Sequence, residues 1–268
     1  MKLASTLRGT TVGALSLFAA GTIFPGAANA DLVLINAATN TPITTPTATS
    51  AAASFTDISA QGFGNVPRLL TMQTSGVETG SVTPINQPQG DAVPNSGGNK
   101  SNTPTLSALG WTNGGQVGIG FNSDQTGQTG ITLQALSLTI FNGTTPIVTF
   151  NLASNYVGFT FTQADLALQQ GNGTAVFAFG LTNAEAAQFN ALLAANTISL
   201  SSFAGVSSQL GCPTGAPATC NPSNDGPDSY VGFVRVPGPV VGAGLPGLVA
   251  ACGALLGLAR RRRRRLAS

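Results

Sequence analysis

Short runs of apolar residues, many of them alternating with polar ones, fill the middle of this chain, which is the pattern of β-strands. Turn residues such as Asn142-Gly143 separate the runs and favour hairpins. The predicted strands cover residues 31–37, 69–74, 116–122, 131–141, 147–152, 157–161, 177–181, 197–203 and 230–236. Short strands with turns between them predict a mainly all-β fold, an antiparallel β-sandwich or jelly-roll-like domain with one short helix.

The predicted strand 131–141 contains a change of phase. Ile131 and Leu133 lie on one face, whereas Leu136 and Leu138 continue in the opposite phase. A slip of one residue would send apolar side chains to the other side of a sheet. A β-bulge near Ala135 would return them to a single buried face.

One segment, residues 184–195, has the spacing of an amphipathic helix. Thr182 and Glu185 before it have the spacing of a capping box, and Glu185 is better explained as this cap than as an acid catalyst. A weaker helical turn is predicted after Thr162, with Asp165 in its first turn. The apolar stripe of the longer helix consists of Phe189, Leu192 and Leu193.

Two stretches have neither the alternation of a strand nor the spacing of a helix. Residues 40–54 are rich in Thr, Ala, Ser and Pro, and residues 80–105 are rich in Pro, Gly and Asn. These residue types suppress regular structure, so both stretches are predicted to be loops.

The first 30 residues have the three parts of a secretory signal peptide. Lys2 and Arg8 supply positive charge, residues 11–20 form a short apolar run, and Ala28-Asn29-Ala30 forms a cleavage pattern. The alternative, a membrane-spanning helix, needs an apolar run of roughly 20 residues. We therefore expect export and a mature chain that begins at Asp31.

The other end of the chain has the pattern of a membrane anchor. Residues 239–259 carry no charge over 21 positions, enough for a transmembrane helix of about 31 Å. Six arginines, Arg260, Arg261, Arg262, Arg263, Arg264 and Arg265, follow directly. A basic run is often a nucleic-acid arm, but beside an apolar segment it favours a stop-transfer signal, with everything before it outside the cytoplasm.

The charge between these ends is negative. Residues 31–235, the central domain, hold three basic residues against nine acidic ones, a net charge of −6. Binding to nucleic-acid phosphates needs the opposite sign, so no nucleic-acid partner is expected.

Candidate catalytic chemistry is sparse. The chain has no histidine, which excludes Ser-His-Asp and Cys-His arrangements and every His-dependent metal site. The nine carboxylates form no recognisable acid–base pattern, although a hydrolase that uses carboxylates alone stays open as a minor alternative. We expect a protein that is not an enzyme.

Cys212 and Cys220 flank a short loop in the domain expected to be exported. An oxidising compartment favours a disulfide between them. Two thiolates without histidine partners would make a poor metal site. Cys252 lies within the apolar tail and is expected to be a packing residue there.

Two binding hypotheses are weighed against structural alternatives. Trp111, Tyr156 and Tyr230 would suit stacking on a sugar, although burial of Trp111 in the core is the simpler interpretation. Asp225 and Asp228 would suit calcium, although Asp225-Gly226 is also an ordinary turn pair. No other cofactor is expected.

Residues 236–268 resemble the PEP-CTERM sorting signal of Gram-negative bacteria, which joins a proline motif, an apolar span and an arginine cluster. Here the motif is Val236, Pro237, Gly238 and Pro239, and Gly238 stands where the family usually has Glu. The resemblance implies an exosortase-like processing enzyme that cleaves near Pro237–Pro239. It also implies a precursor anchored in the inner membrane, later delivered to the cell surface or the extracellular space, in company with exopolysaccharide.

Taken together, these features predict an exported cell-surface or biofilm-matrix protein of structural or interaction type. The alternative is a carbohydrate-binding or adhesin module with its ligand near Trp111 and residues 80–105.

Overall fold

Strands dominate the part of the chain that the structure describes. The structure is a computed structural model and describes residues 31–58, 66–85, 87–94, 101–125, 130–169, 175–224 and 226–235. This part is mainly β, as the sequence predicts. The predicted signal peptide, the span 239–259 and the arginine cluster lie outside it, and no helix among the described residues is long and apolar enough to cross a membrane.

The described strands are β1 (Asp31–Asn36), β2 (Thr41–Pro42), β3 (Phe55–Asp57), β4 (Arg68–Met72), β5 (Val77–Thr83), β6 (Gln87–Gly90), β7 (Val117–Ser123), β8 (Ile131–Asn142), β9 (Thr145–Leu152), β10 (Phe159–Phe161), β11 (Ala175–Leu181), β12 (Phe203–Gly211) and β13 (Asp228–Val234). The α-helices are α1 (Ser50–Ser54), α2 (Gln163–Ala167) and α3 (Asn183–Ala194), and single 3₁₀ turns lie at Gly114–Gln116 and Ser154–Tyr156.

The main strands form one sheet in the order β4-β13-β7-β11-β1-β9-β8-β12-β5-β6. Among these described neighbours only β1 and β9 run parallel. The residues after β6 bring the two ends of the sheet together. Val93 N–H donates to the Thr71 carbonyl at 2.7 Å, and Gln73 N–H donates to the Asp91 carbonyl at 3.3 Å. The sheet therefore closes on itself through residues 91–93.

The apolar core lies inside this closed sheet. Every residue of β11 is buried, because the strand has other elements on both faces. Aromatic rings fill the centre: Phe161 and Phe177 have centroids 4.7 Å apart, and Phe121 and Tyr230 have centroids 5.1 Å apart. Large buried rings of this kind contribute much of the burial free energy of a domain.

The β-bulge predicted near Ala135 is confirmed. Against β12, Gln209 pairs with Ala135 and Leu210 pairs with Leu133, so Gln134 is the extra residue. Ala135 is exposed, and the apolar residues on both sides of the bulge point inwards. The extra residue restores one buried face to a strand whose apolar phase changes.

The hairpin at Asn142-Gly143 is also confirmed. Asn142 pairs with Thr145, so Gly143 and Thr144 form the turn, and Gly143 has φ +60°.

The predicted strand 197–203 is wrong, because β12 begins only at Phe203. The serines before it bond locally: Ser202 N–H donates to the Ser199 carbonyl, and Ser199 N–H donates to the Ser202 hydroxyl, both at 2.9 Å. Such local bonds offer the backbone an alternative to a sheet.

The long helix is confirmed as α3, but its capping box is not. The side chain of Thr182 makes no cap hydrogen bond. The reciprocal box occurs instead at α2, where Asp165 N–H donates to the Thr162 hydroxyl at 3.2 Å and Thr162 N–H donates to the Asp165 carboxylate at 2.8 Å. In the predicted stripe, Phe189 is buried, and Leu192 and Leu193 pack against the core while partly buried.

The two stretches predicted as loops contain short regular elements. Residues 40–54 include β2 and α1, and residues 80–105 include the end of β5 and all of β6. In the second stretch, Gly90 allows the chain to turn at the end of β6. It has φ +64°, and a Cβ there would collide with the Thr79 carbonyl oxygen, so the chain can bend between β6 and residue 91 only with glycine.

Candidate functional site

Trp111, the first of the three aromatic residues considered for sugar binding, lies inside the core. It is 0% exposed, and its Nε1–H donates to the Phe233 carbonyl at 2.9 Å. This bond fixes the loop before β7 onto β13. The simpler interpretation, a Trp that anchors a loop, agrees with this environment.

The two tyrosines are equally enclosed. The Tyr156 hydroxyl donates to the Ile43 carbonyl at 2.7 Å, and burial raises the pKa of Tyr156 to about 12. The Tyr230 hydroxyl lies 2.7 Å from the Ser208 hydroxyl, and burial raises the pKa of Tyr230 further. Both side chains are 0% exposed, so none of the three rings can stack on a sugar in this structure.

A pair of buried carboxyl groups lies inside the domain. Glu78 from β5 and Asp228 from β13 are both 0% exposed. Glu78 Oε1 accepts a hydrogen bond from Thr74 N–H at 2.7 Å. Gln125 Nε2 donates to both Asp228 oxygens, at 3.0 and 3.3 Å. Glu78 Oε2 has no donor beside it.

The electrostatics of the pair place one proton on Glu78. Burial, followed by the nearby charge of Asp228, raises the pKa of Glu78 to about 9. Burial also raises the pKa of Asp228, but hydrogen bonds to Asp228 oppose this effect. At neutral pH Glu78 is therefore the acid and Asp228 the carboxylate. A protonated Glu78 can donate to the carboxylate of Asp228, its side-chain partner, so Oε2 needs no donor.

Asp228, one of the two residues considered for calcium, is linked through Gln125 to Asn224. Asn224 N–H donates to Gln125 Oε1 at 3.0 Å, and Gln125 contacts Asp228. Asp225 lies outside the described residues. Over the described ranges, no group of three or more His, Cys, Asp and Glu side chains is arranged to hold a metal. Asp228 is instead the partner of Glu78.

Glu78 was missed in the sequence, although a signal for it exists. In β5 the side chains at Glu78, Gly80 and Val82 face inwards, while their neighbours are more exposed. The alternation therefore puts a carboxylate in phase with Val82. The partner of an inward carboxylate cannot be predicted this way, because Asp228 is about 150 residues away along the chain.

The predicted disulfide is present between Cys212 and Cys220, with Cα atoms 5.7 Å apart. The loop that it closes borders a surface cleft of about 370 Å³, opposite Thr132, Gln134 and Val157. Val157 is 55% exposed there. The cleft is therefore open to solvent and has both polar and apolar walls.

The first and last residues of the central domain lie at the same edge of the sheet, the edge formed by the strand ends. Leu32 of β1 pairs with Leu181, and Val234 of β13, three strands further along, pairs with Val117. Arg235 bonds to the end of β11 and to the turn after β1. Its Nη1 donates to the Leu181 carbonyl at 3.3 Å, and its Nε donates to Asn40 Oδ1 at 3.0 Å. Arg235 is buried, and burial lowers its pKa to about 10. The sorting motif begins at the next residue, outside the described part.

Comparison of the chain with models of protein families, with curated proteins and with solved structures gives no match.

Proposed function

We propose that this chain is an exported cell-surface or biofilm-matrix protein of structural or interaction type. Its central domain, whose mainly antiparallel sheet closes on itself, would be a sandwich or jelly-roll-like unit, carried between a signal peptide and a C-terminal sorting tail. The observation that supports this most is the position of the two domain ends, which strand pairing places at the same edge of the sheet.

The positions of the two ends suit a domain that is attached to a membrane both through the segment before it and through the segment after it. The signal peptide would precede Asp31, and the tail would follow Arg235. Both residues lie at that edge of the sheet, so the precursor can keep both apolar segments in one bilayer without unfolding the domain. The opposite edge of the sheet would then face away from the membrane.

Two further features support export. The Cys212–Cys220 disulfide is of a kind that persists in oxidising compartments and is rare in the cytosol. The central domain carries few charges, and its net charge is −6. A surface of uncharged polar side chains fits a role in a hydrated matrix, where exopolysaccharide would be a neighbour.

A role other than catalysis is supported by the site that most resembles an acid–base pair. A hydrolase needs both carboxyl groups within reach of its substrate and of water. Glu78 and Asp228 are both 0% exposed, so a substrate cannot reach them unless the domain opens. We therefore assign the pair to stability.

The test is the intact mass of the protein recovered from whole cells and from the culture medium of an exosortase-containing host. We expect a chain that begins at Asp31 and ends near Pro239. A matched variant with Arg260–Arg265 replaced by glutamine should lose processing at the C-terminus and keep processing at the N-terminus. Residues 1–30 still attached would overturn export. A wild-type tail kept through Arg265 would overturn processing by exosortase and leave a simple membrane anchor.

The carbohydrate-binding alternative has one specific observation in its favour, the cleft beside the disulfide loop. Gln134 and the Thr and backbone groups of this loop offer hydrogen bonds to a sugar, and exposed Val157 offers an apolar contact. Co-sedimentation with host exopolysaccharide would test this. A Gln134→Ala, Val157→Ser variant should lose binding, and equal binding by variant and wild type would exclude the cleft.

A further inference from the structure

Glu185 is a buried carboxylate that the architecture of α3 does not explain. It lies in the first turn of α3 and is 5% exposed. Its expected partner, Thr182, makes no side-chain cap bond. One of its oxygens, Oε2, is buried without a hydrogen-bond partner. A carboxylate left in this state costs free energy, because burial removes its water without replacing all of its hydrogen bonds.

The group that Glu185 faces is the backbone nitrogen of Asp31. The carboxylate of Glu185 accepts hydrogen bonds from its own N–H and from the N–H of Asp31. Strand pairing brings them together: Leu32 pairs with Leu181, and α3 begins two residues after Leu181. The first residue of β1 is thereby held against the first turn of α3.

Asp31 is also the residue that signal-peptide removal would leave at the N-terminus. Hydrolysis of the Ala30–Asp31 peptide bond consumes one water, leaves a carboxylate on Ala30 and gives Asp31 an amino group. This group is an ammonium ion at neutral pH, since α-amino groups have pKa values of about 8. A neutral amide with one N–H would thus become a cation with three.

We propose that Glu185 is the binding site for the α-ammonium group of the mature chain. One N–H keeps the existing bond to the carboxylate, and a second supplies the hydrogen that Oε2 lacks. The opposite charges strengthen both bonds, since charge-assisted hydrogen bonds are about twice as strong as neutral ones. This inference rests on the export that we propose above.

Burial raises the pKa of Glu185, and the nearby carboxylate of Asp31 adds to this effect, while the two backbone N–H groups oppose it. The carboxylate of Asp31 would also attract the new ammonium group. The cation would therefore lie between two carboxylates. Both favour its charged form, so the pKa of the amino group should rise above its usual value. Removal of residues 1–30 would lock β1 in place.

The test uses the full chain, exported with its own signal peptide, with its N-terminus sequenced after purification. One variant carries a Gly-Ser pair inserted between Ala30 and Asp31, which moves the ammonium group away but keeps β1. A second carries Glu185→Gln, and a third carries both changes. The readout is the rate at which an amine-reactive reagent labels the N-terminus at pH 8, relative to Lys100, the only lysine after residue 30.

We expect the wild-type N-terminus to react at least about fivefold more slowly than that of the insertion variant, since only the neutral amine reacts. Glu185→Gln should remove most of this difference, and the insertion should then have little further effect. Equal labelling of the wild type and the insertion variant would overturn the binding site at Glu185 and leave the proposed export standing. So would an insertion effect that is as large in the Glu185→Gln background as in the wild type. Residues 1–30 still attached to the wild-type protein would overturn the proposed export, and the inference with it.

Discussion

The Tyr230 hydroxyl and the Ser208 hydroxyl lie 2.7 Å apart across the core, joining β13 to β12. These strands are far apart in the sheet order, so the bond crosses the interior. Ser208 Oγ also donates to the Ala135 carbonyl at 2.9 Å, which makes Tyr230 the donor of the first bond. A chain of hydrogen bonds therefore runs from β13 through β12 to the β-bulge in β8.

Removing the Tyr230 hydroxyl should destabilise the domain. We expect Tyr230→Phe to lower the free energy of unfolding by about 1–2 kcal/mol, the cost of losing a buried hydrogen bond. Ser208→Ala should cost more, since it leaves both the Tyr230 hydroxyl and the Ala135 carbonyl without their partner. Urea denaturation measures both variants. Wild-type stability in Tyr230→Phe would contradict the bond.

The single tryptophan reports directly on its own environment. Because Trp111 is 0% exposed, its fluorescence should be blue-shifted and protected from acrylamide in the native state, and soluble sugars should not change it. Trp111→Ala should cost about 3–5 kcal/mol of stability, whereas Trp111→Phe should cost less. A sugar-dependent shift in emission would instead indicate that Trp111 lies at a binding surface.

The carboxyl pair predicts a dependence of stability on pH. The folded-state pKa of Glu78 is raised to about 9, while an unfolded Glu titrates near about 4.3. The folded state therefore keeps a proton that the unfolded state releases, so this contribution is full below about pH 4 and is lost as the pH rises to about 9.

Glu78→Gln should remove this dependence, since an amide donates to Asp228 without titrating. We expect this variant to exceed wild type in stability at about pH 8 and to lose that advantage towards about pH 4. Thermal unfolding across this range, with Thr79→Gln as an exposed control on the same strand, is the measurement. A wild-type profile with the same pH dependence as that of Glu78→Gln would contradict the assignment.

The disulfide should contribute locally. Closing a loop with a sequence separation of 8 stabilises by about 2–3 kcal/mol in the chain-entropy model. We expect the double variant Cys212→Ser, Cys220→Ser to lose up to this amount and to keep its strand content by circular dichroism. Alkylation followed by mass spectrometry checks the bond itself: two free thiols in the exported wild-type protein would contradict it.

Two glycines with positive φ make a matched pair. Gly90→Ala has two costs: alanine must adopt a left-handed backbone conformation, and its Cβ would collide with the Thr79 carbonyl. Gly143→Ala has only the first of these costs, because no atom lies within 4 Å of a Cβ at that position. A left-handed residue other than glycine costs about 1–2 kcal/mol. We expect Gly143→Ala to lose about this amount of stability and Gly90→Ala clearly more. Equal losses in urea denaturation would show that the bend after β6 adapts.

Local pattern predicted much of this fold. The bulge at Ala135 could be predicted because one extra residue is enough to return the apolar side chains to the same face after their alternation changes phase. The strands with clear apolar character and the helix α3 could be found for the same reason. Strand β12 was missed, since its Gly and Ser residues have little intrinsic preference for a strand and its pairing with β8 and β5 decides its structure.

Long-range contacts account for what the sequence did not predict. Closure of the sheet through residues 91–93 depends on β4, which is distant in sequence. Glu185 matches a capping pattern, but the start of β1 offers it a different partner. The Glu78–Asp228 pair joins two strands whose proximity no spacing along the chain reveals. The sequence identified Asp228 as a polar residue of interest and weighed it as a calcium ligand against an ordinary turn, because its buried partner was unknown.

The position of β1 would set an order of events during the export that we propose. This first strand lies between β9 and β11, so its pairing would stay incomplete until residue 181 had crossed the membrane. The sheet would gain β13 only when residue 234 had emerged, immediately before the predicted apolar tail. A chain that is threaded outwards from its N-terminus must therefore remain unfolded for most of its passage, and its last strand arrives just as translocation would stop.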